Sequence, residues 1–240
     1  SGQHFYNLRN LANSRDNLRQ GVADLLTLQA SLPGLIAADG SANASLDSGN
    51  VTFVGHSLGG IIGGTYLAFA DSVNAATLAM PGGGIAQLLA NSETFGGEIA
   101  DGLTAAEAPP GSPEFAQFLL VAQTLIDSGD PINHAAAVAG SGVPVHMIEV
   151  IGDAVIPNSV ATAPLSGTEP LAAYMGLGPV SNTTAGGGLV RFSAGDHGSI
   201  LNPTASLEAT VEMQTQAAVF AASGGTNLLI TNPSVIQGAN

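Results

Sequence analysis

The chain has 240 residues, enough for one sizeable hydrophobic core, and we expect a single domain over residues 1–240. Its 18 acidic residues against four basic ones give a formal net charge of −14, which would repel a phosphate backbone and argues against a nucleic-acid partner. All four basic residues are arginines and cysteine is absent, which excludes Schiff bases, phosphate-loop lysines, disulfides and thiolate metal sites.

The N-terminal segment, residues 1–50, is predicted to be mostly helical. An apolar stripe at helical spacing predicts an amphipathic helix over residues 15–31, with Ser14 as its N-cap and Leu32-Pro33-Gly34 as its stop. A polar loop rich in glycine, serine, asparagine and aspartate connects this helix to the next element.

Two buried strands are predicted on either side of a glycine-rich helix. The first strand covers residues 51–54, the helix runs to about residue 70, and the second strand covers residues 73–80. Residues 81–142 then form an irregular stretch with short apolar helices around residues 85–89 and 115–126. This stretch is longer than an ordinary connection between two strands.

The rest of the chain continues the alternation of strands and helices. We predict a third strand over residues 143–151, a helix near 171–175, a fourth strand over 189–193, a final helix over 204–222 and a terminal strand over 227–236. Alternating strands and helices predict an α/β fold with a mostly parallel sheet.

Residues at the end of the first strand have the pattern of a nucleophile elbow, Gly55-His56-Ser57-Leu58-Gly59. A Gly-x-Ser-x-Gly pattern alone is weak in a chain with 32 glycines, but its place between a strand and a helix makes it specific. Ser57 is therefore the predicted nucleophile, with a flexible glycine-rich turn as the alternative. We interpret His56 as structural, because it cannot easily reach round to its neighbour.

A serine nucleophile needs a histidine base and an acid that orients it. On this kind of fold they follow the serine in the order acid, then histidine, each just past the carboxyl end of a strand. Asp153 follows the third strand and His197 the fourth, so they are the predicted acid and base. Asp196 is the alternative acid, although a loop-capping role suits it better.

The remaining histidines and acids are assigned no catalytic role. His4 lies in the N-terminal tail, His134 in the irregular stretch and His146 within the third strand, while Asp127 and Asp130 are typical turn residues. Metal-binding and dinucleotide-binding patterns are absent from the sequence, so no metal or cofactor is implied.

The motifs Gly55-His56-Ser57-Leu58-Gly59-Gly60, Gly152-Asp153-x-Val155-x-Pro157 and Gly195-Asp196-His197-Gly198 resemble those of the α/β-hydrolase superfamily of lipases and esterases, over about residues 50–222. The opening Ser1-Gly2-Gln3-His4-Phe5, with Ser14-Arg15-Asp16-Asn17-Leu18-Arg19-Gln20, further resembles the later part of bacterial surface or secreted lipases of the virulence-factor type.

This resemblance implies hydrolysis of carboxylic esters of short to medium acyl chains through an acyl-enzyme. It also implies that residues 81–142 form a cap over an acyl pocket. Apolar cap residues are candidates to line that pocket, with ordinary core packing as the alternative: Ile85, Leu88, Leu89, Phe115, Phe118 and Leu119. The acidic, lysine-free composition suits a secreted or salt-tolerant bacterial protein, and the resemblance implies a secreted or bacterial cell-surface location. No apolar run reaches the roughly 18 residues that span a bilayer.

The chain departs from the superfamily pattern before its nucleophile. About four strands normally precede the nucleophile strand, but here the first half of the sheet is absent, and with it the loop that supplies one oxyanion donor. The backbone N–H of Leu58 is one predicted donor. Candidates for the second are the backbones of Gly2 and Gln3 or of Gly82 and Gly83.

Two further functional readings stay open because of this gap. One is a weak or inactive hydrolase fragment that binds lipid or another protein, and the other is an acyltransferase that uses the same triad. The gap also places the strand at residues 51–54 on an exposed sheet edge, a template for association. We therefore expect a homodimer with residues 15–31 and the Val51 strand near the contact.

Overall fold

The computed structural model describes residues 10–38 and 47–238. Its helices and strands follow one another in the order α1 Leu11–Ala38, β1 Val51–His56, α2 Leu58–Tyr66, β2 Val73–Ala79, α3 Ile85–Ala90, α4 Gly96–Thr104, α5 Pro113–Ile126, α6 Ala135–Ser141, β3 Val145–Val150, α7 Thr168–Tyr174, β4 Thr184–Ala185, β5 Gly188–Phe192, α8 Leu207–Ala222 and β6 Asn227–Leu228. Within these described residues, no helix is long and apolar enough to cross a membrane.

The central sheet has the strand order β1-β2-β3-β5, and each neighbouring pair is parallel. Helices cover both faces of this sheet. Ala76 and Met147 pack towards α1, α2, α6 and α7, whereas Ala75 and Ile148 pack towards α8. Because both faces are covered, β2 and β3 are buried almost throughout instead of alternating between buried and exposed residues. The predicted α/β class with a mostly parallel sheet is confirmed.

The first strand lies at an edge of this sheet. In the described part of the chain β1 pairs with β2 alone, and Val54 in its middle is 55% exposed. A small antiparallel pair of β4 and β6 forms separately from the main sheet. In the part of the chain that the structure describes, the four-stranded sheet therefore begins at the nucleophile strand.

Helix α1 is longer at both ends than the sequence predicts. Asn10 caps it, since its side chain accepts the N–H of Asn13 at 3.2 Å, so Ser14 is not the N-cap. The helix also continues through Pro33, where we predicted a stop. Proline removes one helical hydrogen bond, but the turn before it is tied to the body, because Gln29 accepts from Tyr66 Oη at 2.6 Å.

Residues 81–142 contain the predicted helices α3 and α5 together with α4 and α6, which the sequence analysis missed. Helix α4 begins with two glycines and has little local signal, and it is held by tertiary packing of Ile99 and Leu103 against Ala108. Asp130 ties the start of α3 to the turn after α5 within this region. Its fully buried carboxylate accepts the N–H groups of Gly84 and Ile85 at 3.1 and 2.7 Å.

The predicted terminal strand over residues 227–236 is wrong. Only Asn227–Leu228 is a strand, and a single 3-10 turn, Pro233–Val235, follows it. Pro233 lacks an N–H for a strand ladder, and the side chain of Asn232 caps the turn by accepting the N–H of Ser234 at 3.3 Å. Helix α8 begins three residues later than predicted, because Ser206 is its N-cap.

Candidate active site

Ser57 sits at the turn between β1 and α2 in a backbone conformation that side chains rarely adopt, with φ 54° and ψ −119°. Its N–H donates to the carbonyl of Ala79 on the neighbouring strand at 2.9 Å, which fixes the turn against the sheet. Position 55 must be glycine here, since a Cβ would lie 2.4 Å from the carbonyl oxygen of Gly59. This tight turn presents the serine hydroxyl at the carboxyl end of the sheet.

The structure brings the three predicted triad residues together. Ser57 Oγ lies 2.8 Å from His197 Nε2, and His197 Nδ1 lies 2.7 Å from Asp153 Oδ2. A carboxylate accepts hydrogen bonds, so the ring proton is on Nδ1 and Nε2 is left to accept the serine hydroxyl. The Asp153 side chain is 1% exposed and that of His197 16%, so water is largely kept from the acid while the base faces the surface.

Asp153 is positioned by the loop that follows β3. Its second carboxylate oxygen, Oδ1, accepts the N–H groups of Val155 and Ile156 at 2.7 and 3.0 Å. The loop thus holds the carboxylate in the orientation that a histidine base requires.

His197 is held by its own loop and by the elbow. Asp196 does not reach the imidazole; its Oδ1 accepts from the Gly198 N–H and from Ser199 Oγ, both at 2.9 Å, and so caps the loop. His56 Nε2 donates to the carbonyl of His197 at 2.7 Å. Burial lowers the pKa of His56, which favours the neutral ring. His56 is thus a structural partner of the base.

His134 and His146 lie away from this group, and His4 lies outside the described residues. His134 donates through Nε2 to the carbonyl of Ser128 at 3.2 Å, and His146 is fully buried within β3. Across residues 10–38 and 47–238 no group of three or more histidine, aspartate or glutamate side chains could hold a metal ion.

The oxyanion predictions have different outcomes. Leu58 is the first residue of α2, so its N–H belongs to the helix N-terminus beside Ser57. The prediction for Gly83 is wrong, because its N–H donates to the carbonyl of Gly167 at 3.2 Å. Gly82 keeps its place as a candidate second donor, while Gly2 and Gln3 lie outside the described residues.

The predicted acyl pocket is not an open cavity. Ile85, Leu88 and Leu119 are buried, and Leu89, Phe115 and Phe118 pack against the same apolar clusters. The cavity between α1, α3 and α5 measures only about 30 Å³, enough for one water molecule and not for an acyl chain. Core packing and a pocket wall produce the same apolar helical spacing, so the sequence could not separate them.

A larger open groove of about 430 Å³ lies elsewhere, between α1 and the edge of β1. Its lining includes Leu25 and Leu28 on α1, and Val54, His56 and Gly59 at the strand and elbow. The groove therefore reaches the elbow from the open side of the sheet. No predicted pocket residue lines it.

Sequence reasoning also missed a polar side chain in the loop that carries the acid. Asn158 contacts the backbone just before Asp153 and the buried carboxylate of Glu149. An asparagine after Pro157 is a turn signal. Its partner Glu149 is specified only once β3 and the loop are folded together.

Comparison with known proteins supports the fold. A solved structure of puromycin hydrolase, a serine-to-alanine mutant complexed with PGG, matches with a TM-score of 0.51 at 17% sequence identity, covering 85% of this chain and 26% of that chain. No known family matches the sequence, and no curated protein matches it. The chain thus spans about a quarter of the length of puromycin hydrolase. The likeness confirms the α/β-hydrolase fold that the sequence predicts.

Proposed function

We propose that the chain is a serine hydrolase that cleaves carboxylic esters through a covalent acyl-enzyme. The observation that carries this proposal is the continuous series of hydrogen bonds from Ser57 through His197 to Asp153, with the serine on a strained elbow. A serine hydroxyl is a weak nucleophile until a base takes its proton, and here that base lies within hydrogen-bond distance.

The geometry supports the following chemistry. Ser57 Oγ attacks the ester carbonyl carbon while its proton passes to His197 Nε2, and the Asp153 carboxylate stabilises the imidazolium that forms. The N–H of Leu58 donates a hydrogen bond to the oxyanion that develops on the carbonyl oxygen. His197 then returns the proton to the departing alcohol. A water molecule, deprotonated by the same imidazole, attacks the acyl-enzyme and releases the acid.

Hydrolysis of an amide or peptide bond is a second candidate, and the name of the structural neighbour, puromycin hydrolase, is the observation that favours it. The same three residues would serve both reactions. A matched panel separates them: p-nitrophenyl esters of increasing acyl length beside p-nitroanilides of the same acids. We expect the esters of short to medium chains to be hydrolysed faster. Anilides turned over at an equal or higher kcat/KM would favour the second candidate instead.

Covalent labelling tests the nucleophile directly. A fluorophosphonate should modify Ser57, with the adduct mapped by mass spectrometry, and Ser57→Ala should take up no label. Ser72→Ala is the matched control, because Ser72 is exposed and bonds to Gln29 near the amino ends of the strands. An adduct on another serine, or none on a preparation that hydrolyses ester, would refute the assignment.

The base and the acid are tested by how far kcat falls when each is substituted. We expect His197→Ala to lower kcat by up to about 10⁶-fold, like the serine change, because the two residues act as a unit. Asp153→Asn should cost less, on the order of 10⁴-fold, since the base remains but its tautomer is no longer fixed. Asp196→Asn serves as the control. If it lowers kcat more than Asp153→Asn does, Asp196 and not Asp153 is the acid of the triad.

A further inference from the structure

The loop that carries Asp153 is braced by a side chain that the triad chemistry does not use. Asn158 Oδ1 accepts the N–H of Gly152 at 2.8 Å. Its Nδ2 donates to the carbonyl of Val150 at 2.9 Å and to Glu149 Oε2 at 3.1 Å. The three partners lie within the four residues before the acid. One amide therefore fixes the backbone from which the carboxylate projects.

The chemistry of these partners requires an amide at position 158. An N–H can only donate, and a carbonyl or carboxylate can only accept, so the orientation of the amide is set without ambiguity. An aspartate at this position would accept from Gly152 but would place a second negative charge beside Glu149. A leucine of similar size would make none of the three bonds.

Gly152 explains why such a brace is needed. It adopts φ 76°, and a Cβ there would meet no heavy atom within 4 Å, so the residue before Asp153 is not held by packing. Glycine is also the residue with the most backbone freedom to lose on ordering. The hydrogen bond from its N–H to Asn158 supplies the restraint that packing does not.

Asn158 is itself fixed by a buried carboxylate that is paired with a partly exposed arginine. Glu149 is 0% exposed and accepts a hydrogen bond from Arg191, which stands opposite it in the parallel register of β3 and β5 and also bonds Glu169. Burial raises the pKa of Glu149, while the guanidinium and the Asn158 amide act in the opposite direction. The carboxylate that receives the amide thus cannot turn away without leaving its own partner.

The far end of the same loop is held by the cap, through two side chains of residues 81–142. Ser92 Oγ donates to the carbonyl of Val155 at 2.8 Å, and Thr94 donates to the carbonyl of Ala154 at 3.0 Å. These bonds lie after Asp153 in the chain. They restrain the tip of the loop. In the segment before the acid, the Ile151 N–H donates to the carbonyl of Phe192 at 2.9 Å and the Asp153 N–H to that of Val150 at 3.2 Å, and Asn158 supplies the side-chain bonds.

We propose that Asn158 is a positioning residue for Asp153, and that the buried Glu149 carboxylate, paired with Arg191, holds Asn158 in the orientation this requires. The inference rests on the proposed function, since it assigns Asn158 a role in orienting the acid of that same triad. Asn158 touches neither Ser57 nor the imidazole. Its effect on turnover passes through the placement of the Asp153 carboxylate.

The first test is the kinetics of Asn158→Ala with the best ester substrate. We expect kcat to fall by about 10- to 10²-fold, as for small displacements of a catalytic group, with KM changed by less than about twofold. Asn133→Ala is the matched control, because Asn133 likewise donates to a loop carbonyl, that of Asp127, but within the cap. It should keep wild-type kinetics.

A spectroscopic arm separates positioning from general loss of structure and needs no turnover. The proton on His197 Nδ1, bonded to Asp153 at 2.7 Å, should give a low-field resonance in the proton NMR spectrum. Asn158→Ala should move this resonance upfield or broaden it at a temperature where the variant remains folded. An unchanged resonance together with wild-type kcat would overturn the proposal.

A charge exchange tests the part played by Glu149. Asn158→Asp alone should be at least as damaging as alanine, because two carboxylates then face each other. The double variant E149Q/N158D exchanges the amide and the carboxylate between the two positions, so that an amide again faces a carboxylate. Its kcat should be about tenfold higher than that of Asn158→Asp. If the double variant is no more active than Asn158→Asp, Glu149 does not orient the side chain at position 158.

Failure of the proposed function is distinguishable from failure of this inference. If wild-type protein neither hydrolyses the ester and anilide panels nor takes up fluorophosphonate, the proposed function is wrong, and the NMR arm alone decides whether Asn158 governs the His197–Asp153 bond. If wild type is labelled at Ser57 and Asn158→Ala is labelled at the same rate, the positioning role is wrong.

Discussion

Acid should destabilise this fold through one buried imidazole on β3. His146 is fully buried, with Nδ1 3.3 Å from Thr77 Oγ1 and Nε2 3.2 Å from Gln216 Oε1. The amide nitrogen of Gln216 donates to Glu212 at 2.8 Å, so its oxygen faces the ring. Nε2 must therefore carry the proton, and Nδ1 accepts from the threonine hydroxyl. Each polar atom of the ring is satisfied in the neutral form.

Burial lowers the pKa of His146 from 6.5 to about 3. In the unfolded chain the ring binds a proton near its ordinary pKa, so below that value the unfolded state holds more protons than the folded state. The stability that the neutral ring contributes is complete above about pH 6.5 and is lost progressively as the pH falls towards about 3. At about pH 5 the loss from this residue amounts to about 2 kcal/mol.

Guanidinium unfolding at about pH 7 and about pH 5 measures this loss. His146→Gln should be less stable than wild type at neutral pH, but the difference between the two should shrink by about 2 kcal/mol at the lower pH, because glutamine does not titrate. Thr77→Val is the control. It removes the hydroxyl partner but keeps the imidazole, so its curve should run parallel to that of wild type. Equal pH dependence in wild type and His146→Gln would refute the reasoning.

Two further predictions concern the elbow and the sheet edge. Gly55→Ala should destabilise the protein by more than about 2 kcal/mol, since its Cβ would lie 2.4 Å from a backbone oxygen, whereas Gly59→Ala, with no atom within 4 Å, should be neutral or stabilising by thermal unfolding. Analytical ultracentrifugation at micromolar concentration should show a homodimer, and Val54→Lys, which places a charge on the exposed edge strand, should shift it towards monomer. A wild-type protein that sediments as a monomer with full esterase activity would contradict the dimer.

The site was predictable from sequence where its signals are local or follow from topology. The elbow is encoded in five consecutive residues, and Asp153 and His197 follow from the rule that parallel strands bring their carboxyl ends to one edge of a sheet. The brace at Asn158 was not predictable, because Glu149 and Arg191 meet only through the register of two strands 42 positions apart in the chain.

Failures in the fold have a similar origin. Pro33 carries a local stop signal, but contacts of the preceding turn with the body of the protein override it. The apolar run Leu228-Leu229-Ile230 predicts a longer strand, yet the carboxylate of Glu212 on α8 accepts the N–H groups of Thr231 and Asn232 and so interrupts the strand. Both outcomes depend on partners distant in sequence, which local propensity cannot report.

The open edge of β1 and the second oxyanion donor are linked by backbone geometry. Ser57 directs its N–H towards β2, so the alternate residues His56 and Val54 direct their backbone groups away from β2, towards the open side. A strand added there would bring its own N–H groups level with the elbow and beside Leu58. Oligomeric state and turnover should therefore change together: if Val54→Lys yields a monomer, its kcat should fall by about 10²-fold, the usual effect of losing one oxyanion donor. A monomer with undiminished kcat would place the second donor within the chain itself, at Gly82 or at the N-terminal Gly2 and Gln3.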